Sequence, residues 1–295
     1  MALSISEQLT HCTIRIECQS QSGNVSLGTG FFFKFLQEGN DGDTHVPVII
    51  TNKHVIEGAE WGRFYLNIAD EKGVLITGKH EQFSIGEFES AWIKHPDPSV
   101  DLCFMPLAQV MRLFYQAQRK RIYFIALGKK LIPTEEQLAE LTALEDIVMV
   151  GYPTGIWDKV NNMPIIRRGI TATHPNLPYN GKNEFMIDAA CFPGSSGSPV
   201  LLFNETGYID RNLGGFLAGA ARLYLLGVLY AGPQFTATGE IKVVDVPTQQ
   251  RSIAFSNIPI NLGLVIKAHR IIEMENMMRE LMKDAPPRTE PEPWD

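Results

Sequence analysis

Phe192-Pro193-Gly194-Ser195-Ser196-Gly197-Ser198-Pro199-Val200 is the stretch on which the fold turns. A serine stands between glycines in a tight turn, and an apolar run follows through Leu201, Leu202 and Phe203. A serine hydroxyl is a weak nucleophile until a base takes its proton and nearby N–H groups stabilise the oxyanion that forms. Gly194 can adopt a backbone conformation closed to other residues, so its N–H and that of Ser196 can converge on one point. Taken alone, such a turn also fits any pair of strands joined by small residues. The base must come from elsewhere in the chain.

Upstream, Ile49-Ile50-Thr51-Asn52-Lys53-His54 reads as a β-branched strand ending on a histidine. Between the two lies Asp97-Pro98-Ser99-Val100-Asp101-Leu102-Cys103-Phe104-Met105, with an aspartate at the mouth of another apolar strand. Asp101 is preferred over Asp97 because the apolar run follows it directly, which places its carboxylate at a sheet rim. The chain order is His, Asp, Ser. An α/β-hydrolase would run Ser, Asp, His with its serine in Gly-x-Ser-x-Gly. Here Gly197 follows Ser196 directly, and the one later histidine, His269, lies in a helical stretch.

Three segments resemble the chymotrypsin-like (trypsin-like) serine peptidases, and most closely their HtrA-type branch. They are Thr51-Asn52-Lys53-His54-Val55, Asp97 to Leu102, and Gly194-Ser195-Ser196-Gly197-Ser198-Pro199. Gly28-Thr29-Gly30-Phe31-Phe32 and Arg168-Gly169-Ile170-Thr171-Ala172 are weaker matches. The resemblance spans most of residues 11–266 and implies an all-β fold of two antiparallel β-barrels with an active site in the cleft between them. It implies His54 as general base, Asp101 as the group that orients its ring, and Ser196 as nucleophile. The oxyanion hole would be the N–H groups of Gly194 and Ser196. By analogy the specificity pocket would have Ala190 near its floor, Cys191 in its lining and Tyr230-Ala231-Gly232 as a wall. No acidic residue stands on that floor, so small or medium apolar side chains are the expected preference, and Lys or Arg is not. Digestive members carry an aspartate just before the nucleophile, paired with a new N-terminus made by zymogen cleavage. Here that position is Ser195, so this mode of activation is not expected. The residues after Ile266 are too few for the PDZ domain that HtrA-type proteins often carry.

Composition bounds the alternatives. At 295 residues the chain can bury a sizeable core, and its apolar and charged fractions of 44% and 20% are those of an ordinary globular protein. A net charge of −7 without basic runs argues against nucleic acid as a main partner. The N-terminus has neither the basic nor the apolar region of a signal peptide, and no stretch reaches the roughly 20 apolar residues a membrane span needs. Four scattered cysteines, Cys12, Cys18, Cys103 and Cys191, fit a reducing compartment. The expectation is therefore a cytoplasmic protein with no membrane partner, no metal and no organic cofactor. Its partner would be a peptide or protein substrate, with a regulatory protein as a further partner.

Patterning organises the rest. Short strands separated by turns fill residues 1–106 as a first barrel: Thr13–Cys18, Phe31–Leu36, Val46–Thr51, Arg63–Ile68, Val74–Thr77, Ser90–Lys94 and Leu102–Met105. Residues 39–43 form a turn cluster. Residues 107–145 read as a linker, with a helical insertion at 107–121 and a short helix from Thr134, where Gln137 completes a capping box. Strands Ile147–Val150, Ile165–Thr173, Phe185–Asp188, Pro199–Phe203, Leu223–Leu229 and Leu262–Ile266 build a second barrel over 146–266. An amphipathic helix occupies 267–284, and the Pro-rich, charged tail 285–295 is expected to be disordered. The functional expectation is a regulatory or effector serine endopeptidase. The alternatives are a catalytically silent peptide-binding module of the same fold and an esterase or transferase using the same acyl-enzyme chemistry.

Overall fold

The strand Val25–Glu38 explains much of the arrangement, because both of its faces are buried. Successive side chains of a strand point to opposite faces. Phe31, Phe33 and Phe35 therefore face a central cluster with Val48, Ile50, Leu102, Phe104, Val150, Leu201, Val228 and Ile266. Phe32 faces the other way, into a separate core with Ile14, Ile16, Ile49, Phe64 and Met105. The aromatic run is thus the boundary of two cores at once.

The structure is a computed structural model and describes residues 3–38, 44–211, 213–240, 253–259 and 261–283. In the N-terminal half, a nine-stranded sheet runs through Leu75–Gly86, Ala59–Ala69, Thr13–Ser20, Val25–Glu38, Thr44–Thr51, Cys103–Pro106 and Ile93–Lys94. Arg121–Tyr123 and Leu127–Gly128 pair beside that path. Strands Thr13–Ser20, Val25–Glu38, Thr44–Thr51, Ala59–Ala69 and Cys103–Pro106 share one interior. In the C-terminal half, six strands close into a barrel: Asp146–Gly151, Ile165–Thr171, Glu184–Asp188, Leu262–Lys267, Arg222–Ala231 and Pro199–Asn204. Its interior holds Ile147, Met149, Phe185, Ile187, Val200, Leu226 and Val265. The fold is all-β with helices between the two halves and another near the C-terminus.

The three expected helices are present. Leu107–Gln118 buries Leu107, Val110 and Phe114, while Leu113 stays exposed. Glu135–Glu140 carries the reciprocal Thr134–Gln137 capping box. The helix His269–Lys283 buries Ile271, Met274 and Met278 in the central cluster. Two expectations change. Ser90–Lys94 is not a continuous strand: a 3-10 turn, Phe88–Ala91, precedes a short pairing at Ile93–Lys94. The turn drives Phe88 and Trp92 into the first core, and Gly62 has no side chain because Phe88 packs against its backbone. The strand expected at Val74–Thr77 runs instead as Leu75–Gly86. Hairpins at Gly207–Asp210 with Gly215–Ala218, and at Gln234–Glu240 with Ile253–Pro259, were not anticipated. The turn cluster 39–43 and the tail 285–295 lie outside the described residues.

Phe31 is fully buried in the central cluster. Phe31→Ala is expected to cost about 3–5 kcal/mol of stability, read as a lower urea midpoint at unchanged slope. A loss below about 1 kcal/mol would show that the two halves do not depend on this packing.

Candidate active site

His54 follows the strand Thr44–Thr51 directly, in the short helix Lys53–Ile56. Asn52 stands at the cap position of that helix without capping it. Its amide instead donates to the Asp101 carbonyl at 2.7 Å. The Asp101 carboxylate takes two hydrogen bonds from His54, one from the backbone N–H at 3.1 Å and one from ring Nδ1 at 2.5 Å. A nitrogen facing a carboxylate carries the proton, which leaves Nε2 of the neutral ring with its lone pair.

Asp97, the sequence alternative, is committed elsewhere. One of its oxygens accepts from the Ser99 backbone N–H and hydroxyl, and the other from Arg270 at 2.7 Å. The Ser99 hydroxyl first, and Arg270 after it, hold its carboxyl down to about 2. The loop carrying Asp101 is thereby tied to the C-terminal helix. Buried His95 adds a second tie: its Nδ1 accepts the Asp97 N–H at 3.1 Å, and its Nε2 faces Glu273 at 3.3 Å.

The turn before strand Pro199–Asn204 has the geometry its glycines suggest. Gly194 and Gly197 have φ of +83° and +85°. A Cβ on Gly194 would stand 2.7 Å from the Tyr152 carbonyl oxygen, and one on Gly197 would collide with the Thr29 carbonyl. The Pro193 carbonyl accepts from Thr154 N–H at 2.5 Å, and the Ser195 carbonyl from Ser198 N–H at 3.0 Å. In a trans peptide the N–H points opposite its C=O. The N–H groups of Gly194 and Ser196 belong to these two peptides, so both are turned away from the anchors. Neither has a protein acceptor among the described residues. The Ser196 hydroxyl donates to the Tyr230 carbonyl at 3.5 Å, a long contact, and makes no hydrogen bond with His54.

Thr29 joins these parts. Its N–H donates to the Ser196 carbonyl at 2.9 Å, and its hydroxyl donates to the Gly194 carbonyl at 2.9 Å while accepting from Tyr152 N–H at 3.1 Å. Its carbonyl accepts the Thr51 hydroxyl at 2.7 Å, three residues before His54. Thr29 and Thr51 are fully buried. One residue of the N-terminal half thus holds both the serine turn and the strand that carries His54.

Beside Ser196 a cavity of about 240 Å³ is lined by Cys191, Phe192, Leu229, Ala231 and Gly232. Burial pushes the Cys191 thiol up to about 11, so it is a neutral lining group and not a nucleophile. Tyr230 borders a second cleft, of about 360 Å³, with Asp101, Ser99, Glu184 and Arg270. Burial and the neighbouring Glu184 raise its phenol. Ala190 lines neither cavity. Its carbonyl accepts from Arg167 Nη1 at 2.7 Å, and the same nitrogen donates to the Ser195 hydroxyl at 2.7 Å. Sequence reading passed over Arg167, although its place on the inward-facing alternation of Ile165–Thr171 was visible. It also missed Thr51, Thr154 and the linking role of Thr29. A cavity of about 740 Å³ lies by the helix Leu107–Gln118 and shares no residue with this site. Among the described residues no cluster of His, Cys, Asp or Glu is placed to hold a metal, and no helix is long and apolar enough to cross a membrane.

Residues 28–209 match the sequence profile of the trypsin-like peptidase domain. No curated protein matches the chain. Among solved structures it is similar to the HtrA-type protease AlgW bound to a tripeptide (14% identity, TM-score 0.45). That match covers 94% of this chain and 62% of AlgW, so this chain spans under two thirds of AlgW's length. It is also similar to the Rv3671c protease of M. tuberculosis in its active form (16% identity, TM-score 0.39, covering 96% and 85%). A third is a cysteine-to-alanine mutant of the tobacco etch virus protease (12% identity, TM-score 0.46, covering 97% and 83%).

Two outcomes are expected. Thr29→Val keeps the shape and removes the hydroxyl, leaving the Tyr152 N–H and the Gly194 carbonyl unpaired in a buried site. The expected cost is about 1–3 kcal/mol by urea unfolding, and an unchanged midpoint would show that the hydroxyl is not the joint. The second concerns pH. Burial holds His11, His95 and His269 below the usual imidazole range. As pH falls below about 6.5, the unfolded chain binds protons that these folded imidazoles resist, so stability present at neutral pH is lost on the acid side. His95→Asn, whose Oδ1 can accept the same Asp97 N–H, should flatten the decline in melting temperature between pH 7 and pH 5. An equal slope in both proteins would exclude His95 as a contributor.

Proposed function

The chain belongs to the trypsin-like peptidase family, and from that premise we propose that it is a serine endopeptidase with Ser196 as nucleophile, His54 as base and Asp101 as orienting carboxylate. The supporting observation is the pair of hydrogen bonds from His54 to the Asp101 carboxylate, which fixes the ring so that Nε2 is the nitrogen left to take a proton from Ser196. The Ser196 hydroxyl rotates from the Tyr230 carbonyl to Nε2, gives up its proton and attacks the peptide carbonyl. The N–H groups of Gly194 and Ser196 receive the oxyanion. His54 then protonates the leaving amine, and a water repeats the sequence on the acyl-enzyme. The small size of the cavity, with the side chains of Cys191, Leu229 and Ala231 in its lining, supports small or medium apolar side chains before the cleaved bond. Four free cysteines support action in a reducing compartment, the cytoplasm, and the role proposed there is that of a regulatory or effector protease.

One observation favours the alternative of a silent peptide-binding module: the Ser196 hydroxyl rests on the Tyr230 carbonyl and not on His54. A fluorophosphonate probe separates the two. The wild type should be labelled at Ser196 and should hydrolyse peptides, and Ser196→Ala should lose both. Asp101→Asn should lower kcat by roughly 10³–10⁴-fold, because the ring loses its fixed tautomer. Labelling that survives in Ser196→Ala would end the assignment, and an unlabelled but peptide-binding wild type would favour the silent module.

A further inference from the structure

We propose that Arg167 is a positioning residue that holds the 190–196 turn in the form that presents the Gly194 and Ser196 N–H groups, a role that rests on the reading of Ser196 as nucleophile. Arg167 lies in strand Ile165–Thr171, opposite Met149, on the inward-facing alternation of the closed barrel. One nitrogen, Nη1, reaches two points of the turn at 2.7 Å each: the Ala190 carbonyl before it and the Ser195 hydroxyl inside it. Ser195 is 1% exposed and stands between the residues whose N–H groups are free. The two peptides bearing those N–H groups are already pinned from their carbonyl sides by Thr154 and Ser198. What remains loose is the Ser195 side chain and the chain entering the turn, and Arg167 restrains both.

The cost of this cation shows that it is not there for stability. Its Nε and Nη2 are buried without a hydrogen-bond partner, and no carboxylate pairs with it among the described residues. Burial lowers the guanidinium to about 10, which leaves it charged at neutral pH. An unpaired buried charge is unfavourable, and an apolar side chain of similar volume is often neutral or better in its place. What the guanidinium supplies is one charged nitrogen, Nη1, fixing two acceptors at once.

The test compares wild type, Arg167→Met and Arg167→Lys by fluorophosphonate labelling, by kcat and KM on a peptide substrate, and by thermal unfolding. Arg167→Met should lower kcat by about 10²–10³-fold, the scale of losing one oxyanion donor, with KM within about threefold. Its melting temperature should be unchanged or higher. Arg167→Lys keeps the charge and should recover at least about tenfold of the lost kcat. Arg167→Ala gives a second reading, in which low millimolar guanidinium should restore labelling. The proposal is overturned if Arg167→Met keeps kcat within about threefold. It is also overturned if a lower melting temperature accounts for the loss, so that the remaining folded sites turn over at the wild-type rate. A wild type that is not labelled at Ser196 would remove the reading of the site and this proposal together. A labelled wild type with an equally labelled Arg167→Met removes this proposal alone.

Discussion

Thr29 spends its N–H, its carbonyl and its hydroxyl on three different segments: the serine turn, the strand leading to His54, and the entry to the second barrel at Tyr152. Each half of the molecule has its own core, so each could in principle settle at its own angle to the other. The central cluster of Phe31, Phe33 and Phe35 brings the halves together, but apolar contact is non-directional. The directional contacts around one fully buried threonine convert that apposition into a register. Gly197 is a glycine for the same reason, since any side chain there would push the Thr29 carbonyl away.

A second tie comes from the far end of the chain. The helix His269–Lys283 puts Arg270 and Glu273 against the loop that carries Asp101. Glu275 accepts the Leu36 N–H at 2.7 Å, where Leu36 turns through a left-handed conformation. The helix buries its apolar face in the central cluster between the halves. The residue proposed to orient His54 thus depends on the first strands for its partner and on the last helix for its support. Arg270 is largely shielded, so its pair with Asp97 outweighs the exposed Lys283–Glu280 pair on the same helix.

What was legible in the sequence divides by range. The Thr134–Gln137 cap, the Leu107–Gln118 helix and the glycine-framed serine turn are written within a few residues, and the structure contains each of them. The strand Leu75–Gly86 has no fully buried residue, and its inside–outside alternation is confined to its last residues, where Phe83 and Ile85 pack against the first core while Gln82 and Ser84 face outward; the exposed stretch 76–79 hides the continuity. Trp92 belongs to the run Ser90–Lys94 that reads as a strand, Phe88 stands just before it, and only the space beside Gly62 makes Phe88 a plug. Of the candidate site, the His54–Asp101 contact followed from order and context. Thr29, Thr51, Thr154 and Arg167 carry no local mark, because their meaning lies in acceptors far away in the chain. A charged residue on an inward alternation was the one readable sign, and the solvent-facing neighbour Arg168 obscured it.

The features that shape the turn are each unfavourable alone. Thr154 holds a φ of +49°, a conformation that costs a β-branched residue of the order of 1–3 kcal/mol. Two N–H groups stay without protein acceptors, and a guanidinium is buried without a carboxylate. A turn selected for stability alone would give these donors acceptors, for instance by rotating the Pro193–Gly194 peptide so that its N–H faced inward. The Thr154 N–H bond to the Pro193 carbonyl opposes that rotation, and Arg167 opposes the collapse of Ser195 that would accompany it. The three apolar cores and the Thr29 joint must therefore hold the turn in a form it would not choose by itself. Under the proposed mechanism, these are donors aimed in advance at a charge that exists only while a bond is being broken.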